Sequence, residues 1–279
     1  MRAMKIAAVQ MVSTPDWGRN RDSAARLIAQ AAQAGAQLVA LPEYFCVMGQ
    51  RDTDKLALAE PLGEGPIQRW LADTARALGL WLVGGTLPLA PDGAPPPLTH
   101  CRNTTLVYSP AGQRVALYDK IHLFQFDDGT RRYDEAAVLV PGRQPVRFEL
   151  PSRDGHRWRV GLSICYDLRF PELYRQHAAA GADLLLVPSA FTHVTGQAHW
   201  ELLLRARAIE NLCGVVAAAQ GGTHENGRRT WGHSMVIDAW GQVLALRDEG
   251  AGVVLAELDA AQLAARRASL PALRHRVLG

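Results

Sequence analysis

Short apolar runs of strand length, alternating with segments of helical periodicity, constrain the fold of this chain more than any other feature. KIAAVQM at 5–11 is followed by a helical pattern from about Asn20 to Ala34, which Gly35 ends, and then by QLVALPE at 37–43. This order reads as a βαβ unit, because an apolar run too short for a helix and bounded by turn residues is a strand. A second helix is expected from about Gly65 to Leu78, ahead of LWLVGGTL, and RNTTLVYSP with RVALYDK flank an Ala111-Gly112 turn as a hairpin. Past a polar stretch from Phe126 to Asp134 the alternation resumes with RWRVGLSIC, a helix opened by Pro171, DLLLVPSA, a helix from His199 to about Leu212, and GVVAAAQG. HSMVIDAW and QVLALRD around Trp240-Gly241, then GVVLAELD and a last helix capped by Asp259 before Pro271, complete the pattern. The expectation is an α/β fold in one domain over 1–279, with the Pro-rich PDGAPPPLTH as a surface loop rather than a linker. Both halves alternate strands and helices in a similar way, which leaves room for an internal pseudo-symmetry.

Composition narrows the function classes. A chain of 279 residues that is 48% hydrophobic can bury a sizeable core unaided. Its 30 Lys+Arg against 27 Asp+Glu leave a charge of +3, scattered rather than gathered, which argues against nucleic acid as a partner. Cys46, Cys101, Cys165 and Cys213 form no C-x-x-C pair, so a disulfide framework and a thiolate zinc site are both disfavoured and a reducing, cytoplasmic location is expected. The first residues lack a signal-peptide pattern, and no apolar stretch nears the ~20 residues that span a bilayer, so no membrane association is expected.

Three residues carry chemistry. Cys165 ends an apolar run and is followed by YDLRFPE, so the chain turns there into the helix begun by Pro171 and leaves a thiol at a strand's carboxyl end. An isolated cysteine is more often a small core hydrophobe than a nucleophile. Glu43 stands directly after an apolar strand and a proline, where solvation explains it poorly, and a buried carboxylate can act as a general base. Lys120 interrupts RVALYDKIHLF and must either reach solvent or meet an anion. Together they supply what thiol attack on an amide requires: a carboxylate to take the proton, a cation for thiolate and oxyanion, and the sulfur.

The runs LPEYF, YDKIHLF and GLSICYDLRFPELYR, in this order, resemble the glutamate, lysine and cysteine motifs of the nitrilase superfamily of carbon–nitrogen hydrolases. The resemblance extends over essentially the whole chain, through AEPLGEGP, PSAFTHVTGQAHWELLLRARAIE and the closing LPALRHR. It implies an αββα sandwich that dimerises into an αββααββα arrangement, with no metal and no organic cofactor. It implies that Glu43 is the general base, Cys165 the nucleophile forming a thioester, and Lys120 the oxyanion stabiliser, with the N–H of Tyr166 as second donor. It also points to a further glutamate shortly before a Pro-Gly pair, which DEAAVLVPG offers as Glu135, next to Asp134. Within the superfamily the chain looks most like amidases acting on deaminated glutathione and the related ω-amidases acting on 2-oxoglutaramate, so a small-molecule amide bearing carboxylates is the expected substrate. Arg169 is then a candidate carboxylate clamp, or else the cation of a structural salt bridge. Phe191 and Thr192 in PSAFT are candidates for the pocket wall, although Phe191 reads more simply as core. The segment FQFDDGTRRYDE at 124–135 departs from that branch and is expected to border the pocket, which leaves nitrilase and carbamoylase chemistry as alternatives.

Rival readings are weaker. A papain-like hydrolase would use His199 or His233 as base, yet nothing around Cys165 resembles that motif. His193 and His199 are six apart, which does not put both on one helical face as metal ligands. A catalytically silent dimeric scaffold would have no need of Glu43, Lys120 and Cys165 together.

Overall fold

The first strand, β1 (Ala3–Gln10), explains why the apolar runs are unbroken: Met4, Ile6 and Ala8 enter one core while Ala7 and Val9 enter another. A strand buried on both faces needs apolar side chains at every position. In the computed structural model, which describes residues 3–127, 129 and 132–278, the first half continues with α1 (Trp17–Gln33), β2 (Leu38–Ala40), α2 (Pro66–Leu78), β3 (Trp81–Val83), β4 (Leu87–Leu89), β5 (Arg102–Tyr108) and β6 (Arg114–Asp119). Then follow β7 (Gln125–Asp127), β8 (Arg132–Asp134), β9 (Arg147–Pro151), β10 (Arg157–Leu162), α3 (Pro171–Ala179), β11 (Leu184–Leu186), α4 (His193–Asn211) and β12 (Gly214–Ala217). The chain closes with β13 (Gly221–Thr223), β14 (Arg229–Trp231), β15 (Ser234–Ile237), β16 (Val243–Arg247), β17 (Gly252–Asp259) and α5 (Ala260–Ser269).

Two sheets stack face to face. One runs β17-β1-β2-β3-β5-β4, with β6 paired to β5, and the other runs β16-β15-β12-β11-β10-β9. Each places three parallel strands at its centre, β1-β2-β3 in one and β12-β11-β10 in the other, between antiparallel flanks. The two sheets thus repeat one plan. Met4, Ile6 and Leu38 meet Val216 and Ile237 between them, while Leu27, Ile28 and Leu71 of α1 and α2 cover the outer face of the first sheet. Helices α3 and α4 pack together on the second, and the order of layers is αββα.

Local chemistry sets the helix ends. Asp16 accepts from the N–H of Arg19 at the start of α1, Asp259 accepts from Ala261 and Gln262 at the start of α5, and Pro66 and Pro171 open α2 and α3. Two expectations need correction. Helix α4 begins at His193 rather than His199, because Thr192 caps it by accepting from the N–H of Thr195 at 3.3 Å. The polar stretch after Phe126 is partly regular, since β7 and β8 pair as a small antiparallel ribbon; Asp128, Thr130 and Arg131 of that stretch lie outside the described residues. Among the described residues no helix is long and apolar enough to cross a membrane.

Candidate active site

The segments that follow β2, β6, β8 and β10 converge on one point. Past β2 the chain turns through Leu41 and Pro42, and Glu43 is left 1% exposed. Its Oε1 accepts from Lys120 Nζ and from Asn103 Nδ2, each at 2.9 Å. Lys120 follows β6, is likewise 1% exposed, and donates to both oxygens of Glu135 at 2.9 and 2.7 Å. The Pro-Gly pair that marked Glu135 has its own reason: a Cβ on Gly142 would lie 2.2 Å from the carbonyl oxygen of Asp119, and the Gly142 N–H donates to the carbonyl of Lys120. The glycine lets this stretch of chain press against the segment that carries the lysine.

Cys165 sits just beyond β10, where its N–H donates to the Pro188 carbonyl at 2.9 Å and a 3-10 turn over Cys165–Arg169 begins. Its φ is +49°, and Tyr44, the residue after Glu43, has φ +56°. Left-handed backbone at a non-glycine is uncommon and strained, and here it occurs at both sharp turns that aim reactive groups inward.

Electrostatics divide the site into a charged pair and a neutral thiol. Burial alone would drive the Lys120 ammonium to lose its proton, but the carboxylates of Glu135 and Glu43 outweigh it and raise its pKa above the ordinary value. Burial likewise opposes the charge on Glu135, and Lys120 outweighs it, with the N–H of Phe124 helping, so the Glu135 pKa is lowered. For Cys165 the balance goes the other way. Burial, then the Glu43 carboxylate, push the thiol well above its usual range, against a smaller opposing effect of Lys120.

A narrow cavity opens on the thiol, walled by Phe124, Tyr166, Arg169, Phe191, Thr192 and Arg228. Phe191 serves both readings made of it, lining this cavity while it packs on Trp200 with ring centroids 4.8 Å apart. Thr192 lines the cavity and caps α4. The salt-bridge alternative for Arg169 finds no carboxylate among the described residues; its Nη1 meets His199 Nδ1 at 3.3 Å and its guanidinium faces the rings of Tyr166 and Phe191. His199 is thereby engaged away from the thiol, and His233 stacks on Trp231, so neither stands where a papain-like base would be needed.

Sequence reasoning missed several neighbours. Tyr44 donates from its hydroxyl to Glu135 at 2.7 Å, the Phe124 N–H donates to the same carboxylate at 2.7 Å, Asn103 holds Glu43, and Arg228 reaches the cavity from the β13–β14 hairpin. Asn103 and Arg228 are far in sequence from the groups they serve, whereas Tyr44 is adjacent to Glu43 and Phe124 opens the segment expected to border the pocket.

Comparison with known proteins agrees with this geometry. Residues 5–268 match the family model described as carbon-nitrogen hydrolase. A deaminated glutathione amidase of Synechocystis sp. (strain PCC 6803 / GT-S) is 40% identical over 279 residues, covering 99% of each chain. Its Homo sapiens counterpart is 41% identical over 273 residues, covering 97% of this chain and 81% of that one. Among solved structures, the C. elegans NitFhit protein superposes with a TM-score of 0.88 at 38% identity, covering 99% of this chain and 66% of that fusion, so this chain spans just under two thirds of it. Saccharomyces cerevisiae Nit3, a member of branch 10 of the nitrilase superfamily, superposes with a TM-score of 0.83 at 30% identity, covering 97% and 95%.

Proposed function

Because this chain belongs to the carbon–nitrogen hydrolase family and is an amidase of the nitrilase superfamily, we propose that it hydrolyses deaminated glutathione, with Cys165 as nucleophile. The observation that carries the proposal is the meeting of thiol, carboxylate and ammonium: Cys165 and Glu43 line one cavity, and Lys120 lies 2.9 Å from Glu43 behind them. The choice of substrate follows the relatives named for that activity.

In the proposed reaction Cys165 Sγ attacks the amide carbon while Glu43 takes the thiol proton. The oxyanion is held by Lys120 Nζ and the N–H of Tyr166, a pair of preset donors each worth about 3–4 kcal/mol of transition-state stabilisation. Collapse breaks the C–N bond, and Glu43 returns the proton to the departing nitrogen. A water that Glu43 deprotonates then attacks the thioester, expelling the Cys165 thiolate, which is reprotonated. Glu135 acts through Lys120: its bidentate grip fixes the ammonium and keeps it charged, so Lys120 is an oxyanion donor and not a base.

Hydrolysis of deaminated glutathione gives 2-oxoglutarate and cysteinylglycine, and 2-oxoglutaramate gives 2-oxoglutarate and ammonia. Enzymatic measurement of 2-oxoglutarate from both, with Cys165→Ala as control and aliphatic nitriles as a third class, tests the proposal. A strong preference for deaminated glutathione that Cys165→Ala abolishes supports it, and preference for 2-oxoglutaramate turns the reading to an ω-amidase. A homodimer in the cytoplasm goes with the proposal. The exposed apolar side chains of Val194, Leu202 and Ile209 along α4 support a self-association surface, and sedimentation at the monomer mass would remove it.

A further inference from the structure

Outside the thiol's cavity lies a wider one, of about 460 Å³, lined by Tyr44, Arg51, Lys55, Arg132, Tyr133 and Arg228 among others. Arg228 lines both and so stands at the border between the two. Four of the outer lining residues are cationic, against one carboxylate, Asp52. Three of the four have acidic partners: Arg51 with Asp54 at 3.3 Å, Arg132 with Asp134 at 3.8 Å, and Lys55 with Asp52 at 3.9 Å. Arg228 has no carboxylate within 4 Å among the described residues. Its Nη2 donates to the Ala190 carbonyl at 3.0 Å, its guanidinium lies over the Tyr133 ring at 5.2 Å, and its Nε is buried without a hydrogen-bond partner.

A half-buried guanidinium costs desolvation that is offset only when an anion meets it. Its position is deliberate in the backbone as well. Asn226 Oδ1 accepts from the Arg228 N–H, while Asn226 Nδ2 donates to the carbonyl of Gly49 and ties the hairpin to the opposite rim. Lys55, by contrast, is held over the ring of Tyr44, at 4.8 Å from its centroid.

The chemistry of the thioester gives the cavities their direction. The acyl group stays bonded to Cys165 after the C–N bond breaks, while the amine must leave before water enters, so the amine part of the substrate belongs in the cavity that opens outward. The geometry points to an anion subsite formed by Arg228 with Lys55, which binds a carboxylate carried by the amine part of the substrate. The substrate class is therefore amides whose leaving amine is a small anionic peptide-like group. This rests on the amidase reading above and assigns the outer half of the same site.

Deaminated glutathione and 2-oxoglutaramate share an acyl group and differ only in the leaving amine, so their kcat/KM ratio isolates the subsite. Arg228→Gln is expected to lower that ratio about tenfold or more, chiefly through KM for deaminated glutathione, and Arg228→Lys to recover most of it. Amidating the terminal carboxylate of deaminated glutathione should cost the wild type a similar factor and cost Arg228→Gln little. A ratio unchanged within about twofold, or an equal loss on amidation in both proteins, overturns the subsite. If the wild type cleaves neither amide, the substrate reading fails separately, and the subsite is judged by protection of Cys165 from iodoacetamide. Serylglycine, which has no thiol to consume the reagent, should then protect better than its carboxamide in the wild type and not in Arg228→Gln, and equal protection by the two would overturn it.

Discussion

The Cys165 thiol is protonated at neutral pH, since burial and the Glu43 carboxylate raise its pKa by more than Lys120 lowers it. Attack must then coincide with proton transfer to Glu43 and does not start from a standing thiolate. Nearness to Lys120 would by itself suggest that Cys165 is set apart from the other cysteines by a low pKa, yet burial raises all four: Cys101 to about 11, Cys213 to about 12 and Cys46 further. What sets Cys165 apart is access, because it is 7% exposed at the wall of the site's cavity while the other three are 0% exposed. Iodoacetamide should therefore modify Cys165 first, with a rate still climbing between about pH 8 and 10, where an ordinary thiol of pKa ~8.5 levels off. Peptide mapping by mass spectrometry against pH reads this directly. A plateau by about pH 8 would mean a standing thiolate and would remove the need for Glu43 as base.

Between elements, the alignment of thiol and ammonium depends on Asp167, two residues past the nucleophile and 0% exposed. Its Oδ2 accepts from the Tyr118 hydroxyl at 2.7 Å and the Ile164 N–H at 2.8 Å, and its Oδ1 from the His122 N–H at 3.0 Å. Tyr118 and His122 flank Lys120 by two residues on either side, and Ile164 precedes Cys165, so one carboxylate ties both segments together. Asp167→Asn puts an NH₂ against one of these donors and should lower kcat about tenfold or more with KM within about threefold, since two reacting groups drift apart while the substrate walls stay. A variant with lowered Tm and unchanged kcat would reduce Asp167 to a structural role. None of this brace was legible in the sequence. The alternation of apolar runs did reveal the α/β layers, because strands buried on both faces leave an unbroken apolar signature in β1, β11 and β12. The start of α4 was missed for a physical reason: Thr192, Val194, Thr195 and Gly196 have weak helix propensity, and Gly196 is there because a Cβ would lie 2.2 Å from that of Trp231. Glu43, Lys120 and Cys165 stood at or near the ends of apolar runs, and the resemblance of the motifs around them is what joined them into one candidate site. Arg228 and Asn103 were not, because their meaning lies in contacts across 60 residues or more, as with Asn103 and Glu43.

For the molecule as a whole, the buried Glu43–Lys120–Glu135 cluster links the stability of the fold to pH. Glu135 has its pKa lowered on folding, so its contribution is present above the unfolded carboxyl value of ~4.3 and is lost as pH falls through the folded one. Lys120 has its pKa raised, so its contribution is complete below ~10.4 and is lost only as pH rises beyond the folded value. The pair therefore leaves stability level between about pH 5 and 10. Lys120→Met removes the cation and leaves two carboxylates facing each other out of water, at a cost of about 3–5 kcal/mol, or on the order of 10 °C in Tm at neutral pH. It also reverses the sign of the pH dependence. With burial and Glu43 now governing Glu135, its folded pKa moves above the unfolded value, protonation favours the folded state, and stability rises as pH falls. Calorimetric melting of Lys120→Met should show Tm climbing from about pH 8 to about pH 5.5, where the wild type is flat, and adding Glu135→Gln should restore part of the loss and flatten the profile. A Lys120→Met protein whose Tm stayed level over that range would mean that the two carboxylates reach water once the lysine is gone, and the cluster would then be an exposed ion network and not a sealed one.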